Sequence, residues 1–148
     1  MRAILQRVIK AQVHVGGKIV GAIDKGLLVF LGVAKQDTQK DCEYLYEKII
    51  NLRFFDDLQA KMNCSALDVK AEILVVSQFT IMGECRKGRR PSFDRAMPAN
   101  DAQKLYTVFV NGISSFGLKV ASGQFQTMMQ VHLINDGPVT LLLDSADV

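Results

Sequence analysis

The sequence lacks tryptophan altogether, and it contains only two histidines, three cysteines and three prolines in 148 residues. The cysteines, Cys42, Cys64 and Cys85, are odd in number and far apart, which excludes a regular disulfide framework and a zinc-binding pattern. No stretch reaches the roughly 20 consecutive apolar residues of a membrane span, and residues 1–7 lack the apolar core of a signal peptide. We therefore expect a cytoplasmic protein with reduced thiols.

The sequence does contain enough apolar material for one well-packed domain. Hydrophobic residues make up 49% of the chain, so residues 1–148 are expected to form a single domain without metals or disulfides to stabilise it. The net charge of +3 permits a polyanionic partner without requiring one. The positive charge is densest in residues 86–90, which contain Arg86, Lys87, Arg89 and Arg90. Such a cluster alone is more often a solvated loop than a phosphate-binding site.

Three segments have the pattern of β-strands. Alternation from Ala11 onwards, interrupted by Gly16-Gly17, predicts a β-hairpin with a two-residue turn. Residues 27–33 form a short, continuous apolar run, which is typical of a central strand buried on both faces. Residues 71–79 predict a second buried strand that leads directly into Thr80 and the basic segment.

Two segments have the periodicity of amphipathic helices. Asp37 or Thr38 can cap a helix that runs to about Phe54. Its predicted buried face contains Cys42, Leu45, Ile49 and Leu52. A second helix is predicted over residues 100–116 and ends at Gly117. Its predicted buried face contains Leu105, Val108, Phe109, Gly112, Ile113 and Phe116.

The remaining segments complete a single α+β domain with β-rich ends. Residues 55–63 predict a turn-rich link, in which Asp56 and Asp57 are interpreted as turn formers rather than as metal ligands or acid-base groups. Further strands are predicted from Leu118, Met129 and Val139. We find no internal repeat, low-complexity tract or linker.

Polar side chains at the end of the second buried strand are candidates for chemistry. Ser77, Gln78 and Thr80 offer two hydroxyls and an amide, which could line a cleft or simply terminate a strand. A hydroxyl nucleophile needs a base, yet the only histidines, His14 and His132, both lie in strand patterns. His132 could approach Gly137-Pro138 if the chain folds back there, although such a histidine is more often an ordinary strand residue.

Gly137-Pro138 interrupts a segment that otherwise reads as a strand. Proline donates no ladder hydrogen bond, and glycine allows another backbone to come close. A turn with a trans bond is the ordinary interpretation, because only about 5% of X-Pro bonds in folded proteins are cis.

Taken together, several stretches resemble the D-aminoacyl-tRNA deacylase family almost from end to end. They are Met1-Arg2-Ala3, Gln6-Arg7-Val8, Lys25-Gly26-Leu27-Leu28-Val29, Lys61-Met62-Asn63, Val75-Val76-Ser77-Gln78-Phe79-Thr80, Arg86-Lys87-Gly88-Arg89-Arg90-Pro91-Ser92-Phe93 and Asn135-Asp136-Gly137-Pro138-Val139-Thr140. The resemblance implies a barrel-like β-sheet core with two main helices, in a homodimer whose active sites lie at the subunit interface. It also implies hydrolysis of the ester that joins a D-amino acid to tRNA, as proofreading in translation.

The resemblance further implies how the substrate is selected. In this family the Gly-Pro bond is cis, and Gly137-Pro138 would project into the partner's pocket and reject L-amino acids. Glycine would be accepted, including glycine mischarged on tRNA for alanine. Arg7 would hold the Gly-Pro segment, while Phe125 and Met129 would form the pocket wall. Between those two residues the chain departs from the usual Gly-Ala of the family with Gln126-Thr127, which bears on substrate preference rather than on the reaction.

Two roles remain open for Thr80, which the resemblance places in one pocket with Ser77 and Gln78. Thr80 is either the nucleophile, or a positioning group while the 2′-hydroxyl of the terminal adenosine assists water and backbone N–H groups stabilise the oxyanion. The missing base favours the second account. The tRNA would be the partner, with Arg86, Lys87, Arg89 and Arg90 as candidates for contacts with its phosphates. No metal or other cofactor is expected.

Two other classes of function are retained as alternatives. A non-catalytic RNA-binding module would explain the basic segment and the lack of an acid-base pair. A small-molecule esterase would use Thr80 as its nucleophile and would lose its activity on Thr80→Ala.

Overall fold

One long strand organises the sheet of this protein, for which a computed structural model describes residues 1–147. This strand, β1 (Arg2–Val15), has partners along both of its edges. On one edge, its first half pairs with β3 (Gly26–Gly32) and its second half with β2 (Lys18–Ile23). The other edge pairs along almost its whole length with β8 (Gln130–Asp144). The predicted hairpin at Gly16-Gly17 is confirmed as the β1–β2 turn.

The sheet continues from β3 through two parallel strands. β3 pairs with β6 (Glu72–Ser77), and β6 pairs with β7 (Val120–Ser122), which gives the order β2-β1-β3-β6-β7. Leu27, Leu28 and Val29 are all fully buried, which confirms β3 as a central strand covered on both faces. One face packs against the helices, and the other lines the interior of a nearly closed barrel.

The barrel nearly closes where β2 approaches β7. A Cβ atom added at Gly21 in β2 would lie 2.3 Å from the carbonyl oxygen of Ser122 in β7. Because this contact is with backbone, it cannot be relieved by moving a flexible side chain. Glycine at this position therefore allows the two strands to come together.

We expect Gly21→Ala to lower the free energy of unfolding by about 1–3 kcal/mol, because the added methyl group overpacks the closure. Urea unfolding followed by circular dichroism measures the change. The matched control is Ala22→Ser on the exposed face of the same strand, for which we expect a change within about 0.5 kcal/mol. Equal stability of Gly21→Ala and the wild type would contradict a tight closure.

Two main helices cover one face of the sheet, as predicted. α1 (Gln39–Asn51) begins after Thr38, whose backbone N–H donates to the Asp41 carboxylate over 2.8 Å. Of the predicted buried face of α1, Cys42, Leu45 and Ile49 are buried, whereas Leu52 lies just beyond the helix in extended backbone. The prediction that α1 extends to about Phe54 is therefore too long.

The second main helix, α3 (Ala99–Ser115), lies within one residue of its predicted bounds but is rotated relative to the predicted face. Phe109 and Ile113 are buried as expected, but Phe116 is 45% exposed. Ala102 and Tyr106 face the core instead. A short helix, α2 (Ala66–Val69), was not predicted.

Two segments differ from the predicted ones. The second buried strand ends at Ser77 rather than at Phe79, because its partner β3 ends at Gly32 and the chain then forms a 3₁₀ turn (Phe79–Met82). The predicted turn-rich link over residues 55–63 instead forms most of a small hairpin of β4 (Phe55–Asp56) and β5 (Met62–Cys64).

The last strand is continuous, whereas a separate strand was predicted from Val139. β8 runs from Gln130 to Asp144 and contains the Gly-Pro segment within it. No helix in the described part of the chain is both long enough and apolar enough to span a membrane.

Candidate active site

An apolar cavity of about 740 Å³ opens beside the carboxyl ends of the parallel strands β3 and β6. Leu31 and Val76 line it from the sheet, Val33 lines it just after β3, and Ala102 and Tyr106 line it from α3. Polar side chains are present where β6 ends. This place in the fold gives an apolar cleft with a polar edge, which is the usual form of a small-ligand site.

The predicted catalytic residues meet at that polar edge. Ser77, Gln78 and Thr80 all line the cavity, and the Gln78 side-chain amide donates a hydrogen bond to the Thr80 hydroxyl. Ser77 is the last residue of β6, while Thr80 lies in the 3₁₀ turn that follows. The residues that line the cavity in the described chain include no histidine, carboxylate, lysine or arginine. The cavity therefore offers hydroxyl and amide groups without a side-chain base.

The predicted pocket wall is also present. Phe125 and Met129 line the same cavity, and the Phe125 ring lies 5.6 Å from the ring of Tyr106. The Tyr106 hydroxyl donates to the carbonyl oxygen of Val75 over 2.8 Å, two residues before Ser77. Burial raises the pKa of Tyr106, so its hydroxyl stays protonated and supports the strand end. Sequence reasoning missed Tyr106, although its spacing from Phe109 and Ile113 fits one helical face.

Gln126 has a backbone conformation that ordinarily favours glycine. Its φ is 59°, in the left-handed region. Gln126 and Thr127 both line the cavity, and the Thr127 hydroxyl donates to the carbonyl oxygen of Gln124 over 2.9 Å. The departure noted in the sequence therefore lies within the site, between the two wall residues.

The Gly-Pro segment forms a wide bulge in β8. Gln6 of β1 pairs with Thr140 and Val8 pairs with Asn135, which leaves residues 136–139 opposite Arg7 alone. The Gly137–Pro138 bond is cis, and both residues are exposed. The cis bond that the family resemblance implied is therefore confirmed, and the ordinary interpretation as a trans turn is wrong.

Asn135 holds the base of this bulge. Its side-chain oxygen accepts from the Val139 N–H over 2.9 Å, and its amide nitrogen donates to the Val139 carbonyl oxygen over 3.3 Å. The asparagine thus supplies the paired contacts that a strand partner would supply in regular sheet. Asn135 belongs to one of the stretches that carry the family resemblance, but its role in bracing the bulge was not predicted.

Arg7 anchors the bulge from β1. Only 6% of the residue is exposed. Its guanidinium pairs with the carboxylates of Asp56 at 3.2 Å and Asp136 at 3.4 Å. It also donates to the carbonyl oxygens of Phe54 at 3.2 Å and Asp136 at 3.3 Å, and a Cβ atom on Gly137 would lie 3.2 Å from it.

The two aspartates that were predicted to form turns do different things. Asp57 is a turn former, since its carboxylate accepts from the Lys61 N–H and from the Asn63 amide. Asp56 pairs with Arg7 instead, so its interpretation as a turn former is wrong. Only the register of the folded chain brings Asp56 to β1.

The bulge and the cavity of one chain do not form a single site. Neither Gly137 nor Pro138 lines the cavity that contains Thr80. His132 does not complete such a site: its ring lies 4.6 Å from that of His14 on the neighbouring strand. Within residues 1–147 there is no group of three or more side chains suited to bind a metal ion.

The basic segment is connected to the cavity through the 3₁₀ turn. Glu84 and Ser92 form an antiparallel bridge that closes the segment carrying the cations. Arg86 pairs with Glu84, and its guanidinium lowers the pKa of that carboxyl to about 2. Lys87, Arg89 and Arg90 are exposed and form no ion pair in the described chain. The four cations that were predicted to contact phosphates are therefore not equivalent, because Arg86 already pairs with a carboxylate and the other three do not among the described residues.

Comparison with known proteins agrees with this architecture. The model of the family described as D-Tyr-tRNA(Tyr) deacylase matches residues 4–144. The D-aminoacyl-tRNA deacylase of Thermosipho africanus is 59% identical over 148 residues, which cover 100% of this chain and 99% of that protein. That of Halothermothrix orenii is 59% identical over 145 residues, with coverage of 98% and 97%.

Solved structures share the fold. A structure titled c-Myc DNA Unwinding Element Binding Protein superposes with a TM-score of 0.91 at 43% identity, covering 97% of this chain and 98% of that one. A probable eukaryotic D-amino acid tRNA deacylase has a TM-score of 0.86 at 17% identity, with coverage of 96% and 97%. At that identity the second likeness concerns the fold alone.

The chain belongs to the D-Tyr-tRNA(Tyr) deacylase family, as the resemblance of its motifs predicted. It is therefore an enzyme, a hydrolase with D-aminoacyl-tRNA deacylase activity that serves proofreading in translation.

Proposed function

We propose that this deacylase acts as a cytoplasmic homodimer in which each active site combines the cavity of one subunit with the Gly137–Pro138 bulge of the other. The observation that carries the proposal is the bulge itself. It is exposed, it is held from behind by Arg7 and Asn135, and it lies outside the cavity of its own chain. An exposed element that is braced so firmly is suited to contact a ligand or a second chain.

The surface around the bulge supports pairing with a second copy. Ile9, Ile134 and Leu142, on β1 and β8, are large apolar side chains with roughly half of their surface exposed. Ile134 and Leu142 lie on either side of the bulge, and apolar surface exposed around such an element is typical of an interaction surface. A second copy related by two-fold symmetry would cover both faces with the same residues and would bring both bulges to the partner cavities.

Selection by chirality would explain how one pocket accepts many amino acids. Fit to a side chain discriminates by only about 1–3 kcal/mol per methylene, and one pocket shape cannot fit every side chain. A pocket that serves many amino acids therefore cannot select its substrates by side-chain fit. The braced backbone at Gly137 and Pro138 would instead bind the α-amino group through its carbonyls and obstruct the side chain of an L-amino acid. Glycine has no side chain for this backbone to obstruct, so glycine that is mischarged onto the tRNA for alanine is a second substrate.

Catalysis is proposed to rely on the substrate itself. None of the described residues that line the cavity is a side-chain base, so the 2′-hydroxyl of the terminal adenosine assists the attacking water, and backbone N–H groups stabilise the oxyanion. Thr80, whose hydroxyl accepts from Gln78, positions the ester. Phe125 and Met129 hold the adenosine or the amino acid against the wall. No metal or cofactor takes part.

The tRNA backbone is proposed to lie along the basic segment. Lys87, Arg89 and Arg90 are exposed and available for phosphates, and Arg86 would exchange its Glu84 partner for one. Since these contacts are electrostatic, KM for tRNA should rise with salt concentration while kcat stays nearly constant.

The first experiment compares deacylation of D-tyrosyl-tRNA and L-tyrosyl-tRNA by the pure protein. We expect loss of the D ester alone, at rates far above spontaneous hydrolysis, and release of glycine from glycyl-tRNA for alanine. Sedimentation at micromolar protein tests the dimer. Survival of both tyrosyl esters at enzyme concentrations that bind tRNA would favour the non-catalytic binding module. Rapid turnover of simple esters would favour the small-molecule esterase.

A further inference from the structure

Two exposed phenylalanines lie between the cavity and the basic segment. Phe79 is 58% exposed and Phe93 is 38% exposed, and their rings lie 5.1 Å apart in an edge-to-face arrangement. Phe79 begins the 3₁₀ turn that contains Thr80, and it lines the mouth of the cavity. Phe93 follows directly after the Glu84–Ser92 bridge that closes the basic segment. The pair therefore connects the two parts of the proposed site.

The close approach of Phe93 to the turn depends on a glycine. A Cβ atom at Gly83 would lie 3.0 Å from the Phe93 ring and 2.9 Å from the Thr80 carbonyl oxygen. Without that atom, the ring packs against the turn and still presents much of its surface to solvent. This arrangement retains an exposed aromatic pair at a fixed place beside Thr80.

Exposed aromatic rings beside unpaired cations are the combination that binds single-stranded nucleic acid. Bases stack on the rings, and the cations follow the phosphates. Here Lys87, Arg89 and Arg90 supply the cations, and the cavity beyond Phe79 would hold the terminal adenosine with its ester. The nucleotides next to that adenosine in the unpaired 3′ end of tRNA would then pass over the aromatic pair.

We propose that Phe79 and Phe93 form a stacking surface for the unpaired nucleotides that precede the terminal adenosine, and that the basic segment contacts their phosphates. This inference rests on the proposed function, because it assigns part of the same substrate to a part of the chain outside the cavity. It divides recognition into two regions: the cavity binds the aminoacyl-adenosine, and the aromatic pair binds the adjoining strand.

The test compares a long and a short substrate with Phe93→Leu, which keeps an apolar side chain against Gly83 but removes the aromatic face. We expect kcat/KM for D-tyrosyl-tRNA to fall about tenfold, the size of effect that one lost stacked base produces. The rate on 3′-D-tyrosyl-adenosine, which has no preceding nucleotides, should stay within about twofold. Phe93→Tyr, which keeps an aromatic ring, should have the wild-type rate on D-tyrosyl-tRNA.

The matched control is Phe116→Leu, since Phe116 is a similarly exposed phenylalanine at the end of α3. It should leave both substrates unaffected. An equal loss on both substrates with Phe93→Leu, or no loss on either, overturns the inference. A change in sedimentation with intact RNA binding would also overturn it, because the pair would then belong to an interface between copies.

A binding measurement separates this inference from the proposed function. Fluorescence anisotropy with the labelled trinucleotide CCA should show about tenfold weaker binding to Phe93→Leu than to the wild type. One outcome is that the wild-type protein binds CCA through Phe93 and yet hydrolyses neither D-tyrosyl-tRNA nor L-tyrosyl-tRNA. That result would overturn the proposed function and support the stacking surface. Equal CCA binding by both proteins would overturn the stacking surface alone.

Discussion

Replacing Arg7 with glutamine is expected to lower kcat/KM for D-tyrosyl-tRNA by about 100-fold, the loss that a misplacement of about 1 Å can produce. The guanidinium contacts Asp136 and lies against Gly137, so its removal frees the bulge that is proposed to select the substrate. Asp56 also loses its partner. Discrimination between D- and L-tyrosyl-tRNA should therefore weaken together with the rate.

Stability must be measured alongside, because Arg7 is buried. Hydrogen bonds to a charged group contribute about 1.5–3 kcal/mol each, so Arg7→Gln should also lower the free energy of unfolding. The control is Arg2→Gln on the same strand, whose guanidinium pairs with Asp144 at 2.8 Å. Arg2→Gln should lose stability without losing the preference for the D ester. A folded Arg7→Gln protein with wild-type rate and selectivity would show that the bulge does not need this anchor.

Removing the 2′-hydroxyl of the terminal adenosine is expected to lower the rate of deacylation by at least about 100-fold, as for loss of a group that acts in the transition state. Thr80→Val, which removes the hydroxyl while keeping the shape, should cost only about tenfold if that group positions the ester. We expect the smaller effect for Thr80→Val because the Thr80 hydroxyl has Gln78 as a hydrogen-bond partner, whereas no described residue that lines the cavity could act as its base.

The comparison needs a correction for intrinsic reactivity, because the 2′-hydroxyl also speeds spontaneous hydrolysis. Single-turnover rates for the deoxy and natural esters are therefore divided by their rates without enzyme. If Thr80→Val abolishes turnover while the corrected rate on the deoxy ester is retained, Thr80 is the nucleophile. That result would replace substrate-assisted hydrolysis with an acyl-enzyme mechanism.

Local patterns in the sequence predicted the elements whose structure is decided locally. The Gly16-Gly17 turn and the start of α1 at Thr38 depend on neighbouring residues alone. The short apolar run of β3 predicted its central place because a strand covered on both faces needs apolar residues at every position. Polar residues at a strand end predicted the edge of the cavity, since Ser77 and Thr80 both line it.

Features that depend on distant partners were the ones missed. The bulge in β8 exists because the strand pairs with β1 on both sides of Arg7 but with a shifted register, and no local pattern at Val139 predicts this shift. Asp56 looked like a turn former because its ion-pair partner is far away in sequence. The face of α3 was misjudged because the sheet beneath it determines that Tyr106 rather than Phe116 is buried.

The pairing of β1 with β8 also has a consequence for how the enzyme matures. The first strand of the sheet and the last are direct neighbours, and the last one carries the Gly-Pro bulge that Arg7 of the first one anchors. Contacts of such high sequence separation form slowly, because the closure of a long loop precedes them. During synthesis on the ribosome, the bulge that is proposed to select the substrate therefore forms only after β8 has emerged and paired with β1. A chain in which β8 has not yet paired with β1 would lack this bulge together with the part of the cavity wall that Val131 supplies.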